Sequence, residues 1–403
     1  MWTRSYRAFA ARLDAATPAG RDRALDGLRA LAIIGVVLGH WLVMALTRDP
    51  AGALEVNSPL THLPALAPVT WLLQMLGLFF LVGGYTSARG YTRRTGGYLR
   101  WLRERMLRLT RPVVAAMAVL GAALPLLAFA GVPVGTLRTT AVLVLQPLWF
   151  VAVYAAITAL TPAALALDRA LRGWSALPAA AVVSTVDLVR YGPWQHAVPS
   201  WVGLVNLLPG WAFGFLLGVA WADGRITRRA AALLSAGGLT LALLLVFAFG
   251  YPVSMVGVPG DPRTNSHPPS LLVLALAAAQ CGAAILLRDR LGALLRRPAW
   301  WAPVALLNLA AMTVFCWHQT ALMLLSAGAL AVHPAGLPGL HRPPVDLVWV
   351  GYRLAWLPAY LAVLAGLVVC ARRFERPWRS GISGRLAVLA LAAGFAGYAA
   401  TAL

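Results

Sequence analysis

Residues 29–46, RALAIIGVVLGHWLVMAL, form an apolar run that opens on Arg29 and holds one histidine, His40. A helix needs about 20 apolar residues to cross the roughly 30 Å hydrocarbon layer of a bilayer, so this stretch predicts a membrane span, placed at 30–47. Working outward, the same reading finds apolar segments at 69–87, 113–131, 139–160, 177–190, 202–220, 230–250, 271–287, 302–330, 350–370 and 385–402. The segment at 177–190 is the shortest and carries Asp187. The expected fold is all-α: a polytopic transmembrane helix bundle of about 10–11 spans with a cytoplasmic N-terminus.

Composition agrees. Of 403 residues, 60% are hydrophobic and 12% charged, with a mean hydropathy of +0.73; soluble domains run nearer 45–50% and about 25%, so a water-soluble globule is excluded. The formal charge is +21, and all 34 basic residues are arginine. That charge sits in short gaps between apolar runs, not on a solvated domain face, which argues for membrane topology and against a nucleic-acid partner. With the N-terminus inside, the cytoplasmic gaps are 1–29, 88–112, 161–176, 221–229, 288–301 and 371–385. Only Arg48, Arg138, Arg190, Arg263, Arg342 and Arg353 fall in the outer set, as the positive-inside rule requires.

The first 29 residues lack a long apolar core, so whole-chain insertion is expected, without a cleaved signal peptide. Residues 1–24 are expected to be a cytoplasmic lead-in, amphipathic or disordered, before a single membrane unit at 25–403. The outer stretches 251–270 and 333–346 are rich in Pro, Gly, Ser and His; they read equally as a stiff vestibule over a site or as plain connectors. Cys281, Cys316 and Cys370 lie inside apolar segments and read as packing residues. His62, His196, His267, His333 and His341 are scattered over outer loops in no metal-ligand spacing, so no metal site is expected. Walker A, GxGxxG-acid, GxSxG and HExxH patterns are absent, which disfavours nucleotide hydrolysis, dinucleotide redox chemistry and metalloprotease activity.

Polar groups inside spans need a reason. At 100° and 1.5 Å per residue, the 11-residue step from Arg29 to His40 is three turns plus about 20°, so both share a helix face about 16 Å apart. Arg29 at the cytoplasmic mouth suits phosphate, and a neutral imidazole deeper in the span suits proton abstraction; a helix anchor and a structural hydrogen bond are the alternative. Arg105, Arg108 and Arg111 form a drifting stripe at spacings of three, fit either for a polyphosphate or for anionic headgroups. Tyr85 ends the second span at interface depth. Trp149 and Phe150 lie in the fourth span; Asn308, His318 and Gln319 lie in the ninth, where His318 and Gln319 could face His40 across the bundle.

Taken together these residues resemble the acyltransferase 3 family of integral-membrane O-acyltransferases. Arg29, ten residues and His40 are similar to its first-span hallmark. Phe79-Phe80 with Gly84-Tyr85 resembles its FFxxSG(F/Y) element, although Gly83 stands where the family carries serine. Arg105-x-x-Arg108-Leu109-x-Arg111-Pro112 resembles its RRxxRLxP run, Leu148-Trp149-Phe150 its LWF motif, and Trp317-His318-Gln319 its (Y/W)xHQ-like element. The resemblance implies a multi-pass enzyme of the cell membrane, in contact with membrane lipids. Acyl-CoA would be the co-substrate, with no bound cofactor, and a short acyl group would pass to a hydroxyl of a carbohydrate, glycolipid or natural product. It implies His40 and Arg29 as the catalytic pair, and Arg105, Arg108 and Arg111 as donor-binding. Tyr85, Trp149, Phe150, Asn308, His318 and Gln319 are expected around the substrates. Transfer is expected either directly, with His40 as base, or through an acyl-histidine. The competing class is a polytopic transporter or flippase.

Overall fold

The computed structural model describes residues 4–193, 198–261, 263–375 and 389. The chain begins with α1 (Arg4–Ala15) and α2 (Arg23–Val43), followed by the antiparallel strands β1 (Ala45–Arg48) and β2 (Leu54–Asn57), paired Ala45 to Asn57 and Arg48 to Leu54. The short helices α3 (Pro59–His62) and α4 (Val69–Leu73) lead into α5 (Leu76–Thr92), α6 (Tyr98–Phe129) and α7 (Val134–Leu145). A 3-10 turn at Gln146–Leu148 joins α7 to α8 (Trp149–Ala159), and then come α9 (Thr161–Ala170) and α10 (Ala176–Tyr191). The remaining helices are α11 (Leu207–Ala222), α12 (Arg228–Phe247), α13 (Leu271–Leu295), α14 (Pro298–Leu309), α15 (Ala311–Val332) and α16 (Leu347–Ala371). The protein is an all-α polytopic bundle.

Nine segments among the described residues are long and apolar enough to cross a bilayer. Several expected spans are interrupted; segment 69–87, for one, is α4 and α5, separated at Gln74 and Met75. Segment 139–160 is α7 and α8 hinged at the turn containing Pro147, where the missing N–H breaks the helical ladder. Segment 302–330 breaks at Ala310 into α14 and α15, and α15 alone is a spanning candidate. Segment 177–190 is α10, 16 residues long and below the length of a full span. If the spanning candidates all cross, sidedness requires α10 to cross as well. The β-hairpin after α2 and the loop between α12 and α13 line one cavity, so an even number of crossings separates them. The five spanning segments between them are odd in number, and α10 supplies the sixth. Segment 385–402, His196 and the arginines after Arg373 lie outside the described residues.

The arginine-rich gaps gather at the opposite end from that cavity. Arg23 bonds the Leu295 carbonyl at 3.0 Å, Arg288 meets Asp22 at 2.6 Å, and Arg225 pairs with buried Asp168 at 3.0 Å. The lead-in is ordered onto this end as α1: Tyr6 donates to Ala299 O at 2.8 Å and Trp301 Nε1 to Thr17 Oγ1 at 2.7 Å.

Buried α11 and α13 sit at the centre of the bundle, while α6, α12 and α16 expose most of their length, as lipid-facing helices do. Without a hydrophobic drive between helices in lipid, close packing must hold them, and small residues permit it. A Cβ on Gly84 of α5 would collide with the Phe215 carbonyl of α11, and one on Gly218 of α11 with the Leu81 carbonyl of α5. The two backbones therefore meet through glycine.

Candidate active site

Asp22 caps α2 by accepting the Leu25 N–H at 3.1 Å. From that start the helix carries Arg29 at the arginine-rich end and His40 one turn before its opposite end. There it opens a cavity of about 350 Å³. Its wall is His40 and Met44 of α2, Asn57 and Ser58 after β2, Gln74 after α4, Gln146, Trp149 and Phe150 at the α7–α8 hinge, Phe315 of α15, and Thr264, Ser266 and His267 of the loop at 251–270. The 3-10 turn and the first residues of α8 thus put Gln146, Pro147, Trp149 and Phe150 on the cavity wall. The loop at 251–270 lines the cavity with Val256, Gly257, Pro259, Thr264, Ser266 and His267, the placement a vestibule would have.

Gln319 Nε2 lies 3.2 Å from His40 Nδ1, and the His318 ring is 5.0 Å from the His40 ring. Neighbours on a helix point about 100° apart, so the two do different things. Gln319 holds the imidazole, whereas His318 turns its own Nδ1 to the Phe315 carbonyl at 2.6 Å. The Gln319 Oε1 and His318 Nε2 atoms are buried without hydrogen-bond partners among the described residues. Trp41, the residue after His40, donates to the His318 carbonyl at 3.0 Å and stacks on Tyr360 at 5.2 Å.

Arg353 is a functional neighbour the sequence reading put among the outer arginines. It is 1% exposed and donates to the carbonyls of Trp41 (2.7 Å), Met44 and Gly339 (2.9 Å) and to the Tyr360 hydroxyl. Two of those carbonyls belong to the end of α2, where the helix leaves orphan acceptors and a negative dipole end. An arginine six residues into an apolar helix was the available signal.

The other expected residues divide between two ends. Arg29 lies 3.5 Å from Asp26 and outside the cavity wall. Arg105 donates to Thr86 O at 3.0 Å and Ser87 Oγ at 3.4 Å, stacks over Trp101 at 4.8 Å, and stands within electrostatic reach of Arg29 and Arg108. Arg108 is exposed, and Arg111 is buried with its Nε unpartnered among the described residues. Tyr85 packs on Trp221 at 4.8 Å, toward the arginine end. Asn308 donates to Asp26 O at 2.8 Å and Val304 O at 2.9 Å, apart from the cavity. Asp187 accepts from Asn206, Tyr251 and the Leu271 N–H at 3.0, 3.0 and 2.7 Å, tying α10 to both ends of the outer loop.

Phe150 bridges the two ends: it lines the cavity and stacks on Tyr154 at 5.9 Å, and Tyr154 is within electrostatic reach of Arg105. Gly83 is accounted for here as well. A Cβ on it would sit 2.6 Å from Tyr154 Cε2 and 2.8 Å from the hydroxyl, so the tyrosine occupies the space a serine would need.

The family model for an acyltransferase domain, acyltransferase 3, matches residues 22–372, nearly the whole chain. No curated protein and no solved structure matches.

Proposed function

The chain belongs to the acyltransferase 3 family, and from that premise we propose that it moves a short acyl group from acyl-CoA to a hydroxyl of a carbohydrate, glycolipid or natural product at the cell membrane. The observation that carries this reading is His40 on the wall of the outer cavity with Gln319 fixed on its Nδ1. An alcohol's own pKa is far above 7, so it needs a base as it attacks. In the reacting tautomer Nδ1 carries the proton and donates it to the Gln319 amide oxygen, leaving Nε2 free. The amide shows its nitrogen to Nδ1 while Oε1 has no partner among the described residues, and half a turn about the last side-chain bond exchanges the two.

The acceptor hydroxyl then gives its proton to Nε2 as its oxygen attacks the thioester carbonyl. When the C–S bond breaks, the leaving thiolate takes that proton back, giving ester and free thiol with His40 regenerated. Arg29, Arg105 and Arg108 hold the donor's phosphates at the arginine-rich end, where one carboxylate, Asp26, faces Arg29. The three-turn offset along α2 is about 16 Å, of the same order as an extended pantetheine arm, so the thioester reaches His40 past Tyr154 and Phe150.

Purified protein in nanodiscs is incubated with radiolabelled acetyl-CoA and a panel of glycosides, comparing the parent with His40→Ala and Gln319→Leu. Loss of a general base removes about 100- to 10,000-fold of rate, and loss of its holder is expected to lower kcat by about tenfold or more with donor KM unchanged. Equal transfer by parent and His40→Ala removes the assigned role of His40.

A further inference from the structure

Two glutamines stand on the cavity wall. Gln74 follows α4 and Gln146 opens the turn before Trp149; both are half-buried, and neither side-chain amide has a hydrogen-bond partner among the described residues. The neighbouring hydroxyls are already engaged. Thr70 donates to Ala67 O and accepts from Met255 N, Ser58 donates to Val43 O, and Thr264 donates to His267 O. The rest of the wall is largely apolar, and among the described residues no Arg, Asp or Glu is part of it.

Resting on the acyl-transfer reading, we propose that Gln74 and Gln146 are the acceptor-selecting pair, gripping an uncharged hydroxyl-bearing ligand against Trp149 and refusing an anionic one. A hydroxyl both donates and accepts, and a carboxamide offers both functions in return. A carboxylate or phosphate entering the cavity would shed its water and find amides, hydroxyls and aromatic rings but no cation, which is unfavourable. His267 does not supply one, because burial first and the nearby His40 second hold its pKa down at about 4, leaving it neutral at physiological pH. A volume of about 350 Å³ is at the small end for ligand pockets, room for a ring-sized portion of the acceptor.

Binding and transfer are measured on the full-length protein in nanodiscs. Equilibrium dialysis uses tritiated methyl β-glucoside as the neutral probe, with unlabelled methyl glucoside or the carboxylate analogue, methyl glucuronide, as competitor. Saturable binding is expected, with the glucuronide at least tenfold the weaker competitor. Gln74→Leu and Gln146→Leu are each expected to weaken binding about tenfold or more, with unchanged elution on gel filtration. Gln146→Arg narrows or reverses the preference, which keeps the proposal testable if a leucine variant misfolds. Absence of saturable binding, equal competition by the glucuronide, or leucine variants that bind like the parent overturns it. Transfer from labelled acetyl-CoA in the same preparations separates the two readings. The expected binding pattern without any transfer sinks the enzymatic reading and leaves the pair standing; transfer without selectivity does the reverse.

Discussion

His40 and Arg353 illustrate how little a single residue does alone in a bilayer. The imidazole is placed by the end of its own helix, and that end is held by a guanidinium arriving from α16, more than 300 positions later in the chain. Arg353 answers four acceptors with one planar fork of donors, which lysine cannot match. Removing it strands buried carbonyls, each at about 1–3 kcal/mol. Arg353→Ala is therefore expected to lose about 3 kcal/mol or more of stability, with Arg353→Lys recovering only part, read as the shift in thermal midpoint by size-exclusion after heating. An unchanged midpoint in the alanine variant would show that those carbonyls find other donors. The spacing from Arg29 to His40 was visible in the sequence because helical geometry is local; Arg353, Gln74 and Gln146 were not singled out, because their significance lies in partners or gaps that only packing creates.

At the scale of elements, the joints hold the bundle and shape its cavity. The α5–α11 contact runs backbone against backbone through Gly84 and Gly218. Gly84→Val is expected to push α11 off α5 at a cost of about 1–3 kcal/mol, seen as a lower thermal midpoint and weaker expression; a valine variant as stable as the parent would mean the helices are not in that contact. The outer loop has a pH signature. His267 is held neutral to about pH 4 by burial, against an ordinary value of 6.5, so below 6.5 the unfolded loop takes a proton before the folded one does. The stabilisation is complete above 6.5 and lost as pH falls toward 4. Hydrogen exchange over 251–270 should accordingly quicken between pH 6.5 and 4 after correction for intrinsic rates, more than in His267→Gln; identical profiles would contradict this. That 251–270 is turn-rich was legible from its Pro, Gly and Ser content. That it folds back over His40, secured by Asp187 to Tyr251 and Leu271, depends on a carboxylate more than 60 residues upstream.

For the whole molecule, the decisive point is that both cavity-lining loops lie on one face, which, if the spanning candidates all cross, makes α10 a crossing despite its 16 residues, about 24 Å. On a background with Cys281, Cys316 and Cys370 replaced, a cysteine at Asp261 should react with a membrane-impermeant maleimide in intact cells. One at Trp174, between α9 and α10, should react only after permeabilisation. Labelling of both in intact cells would place α10 wholly on one side and undo the sidedness. The arginine asymmetry between alternate gaps is what the sequence offers on sidedness, and the labelling pattern is its test.

The sequence by itself determined the apolar lengths, the arginine asymmetry and the residues available for chemistry, because hydropathy, net charge and helical phase are properties of neighbours along the chain. Which of those residues meet was decided by tertiary structure alone. Gln319 rather than His318 holds His40, Arg29 and His40 face different ends, and the 3-10 turn and the start of α8 put Trp149 and Phe150 on the cavity wall. Such meetings depend on how helices rotate and seat against one another, and in lipid that seating is set by close packing and buried hydrogen bonds between distant segments.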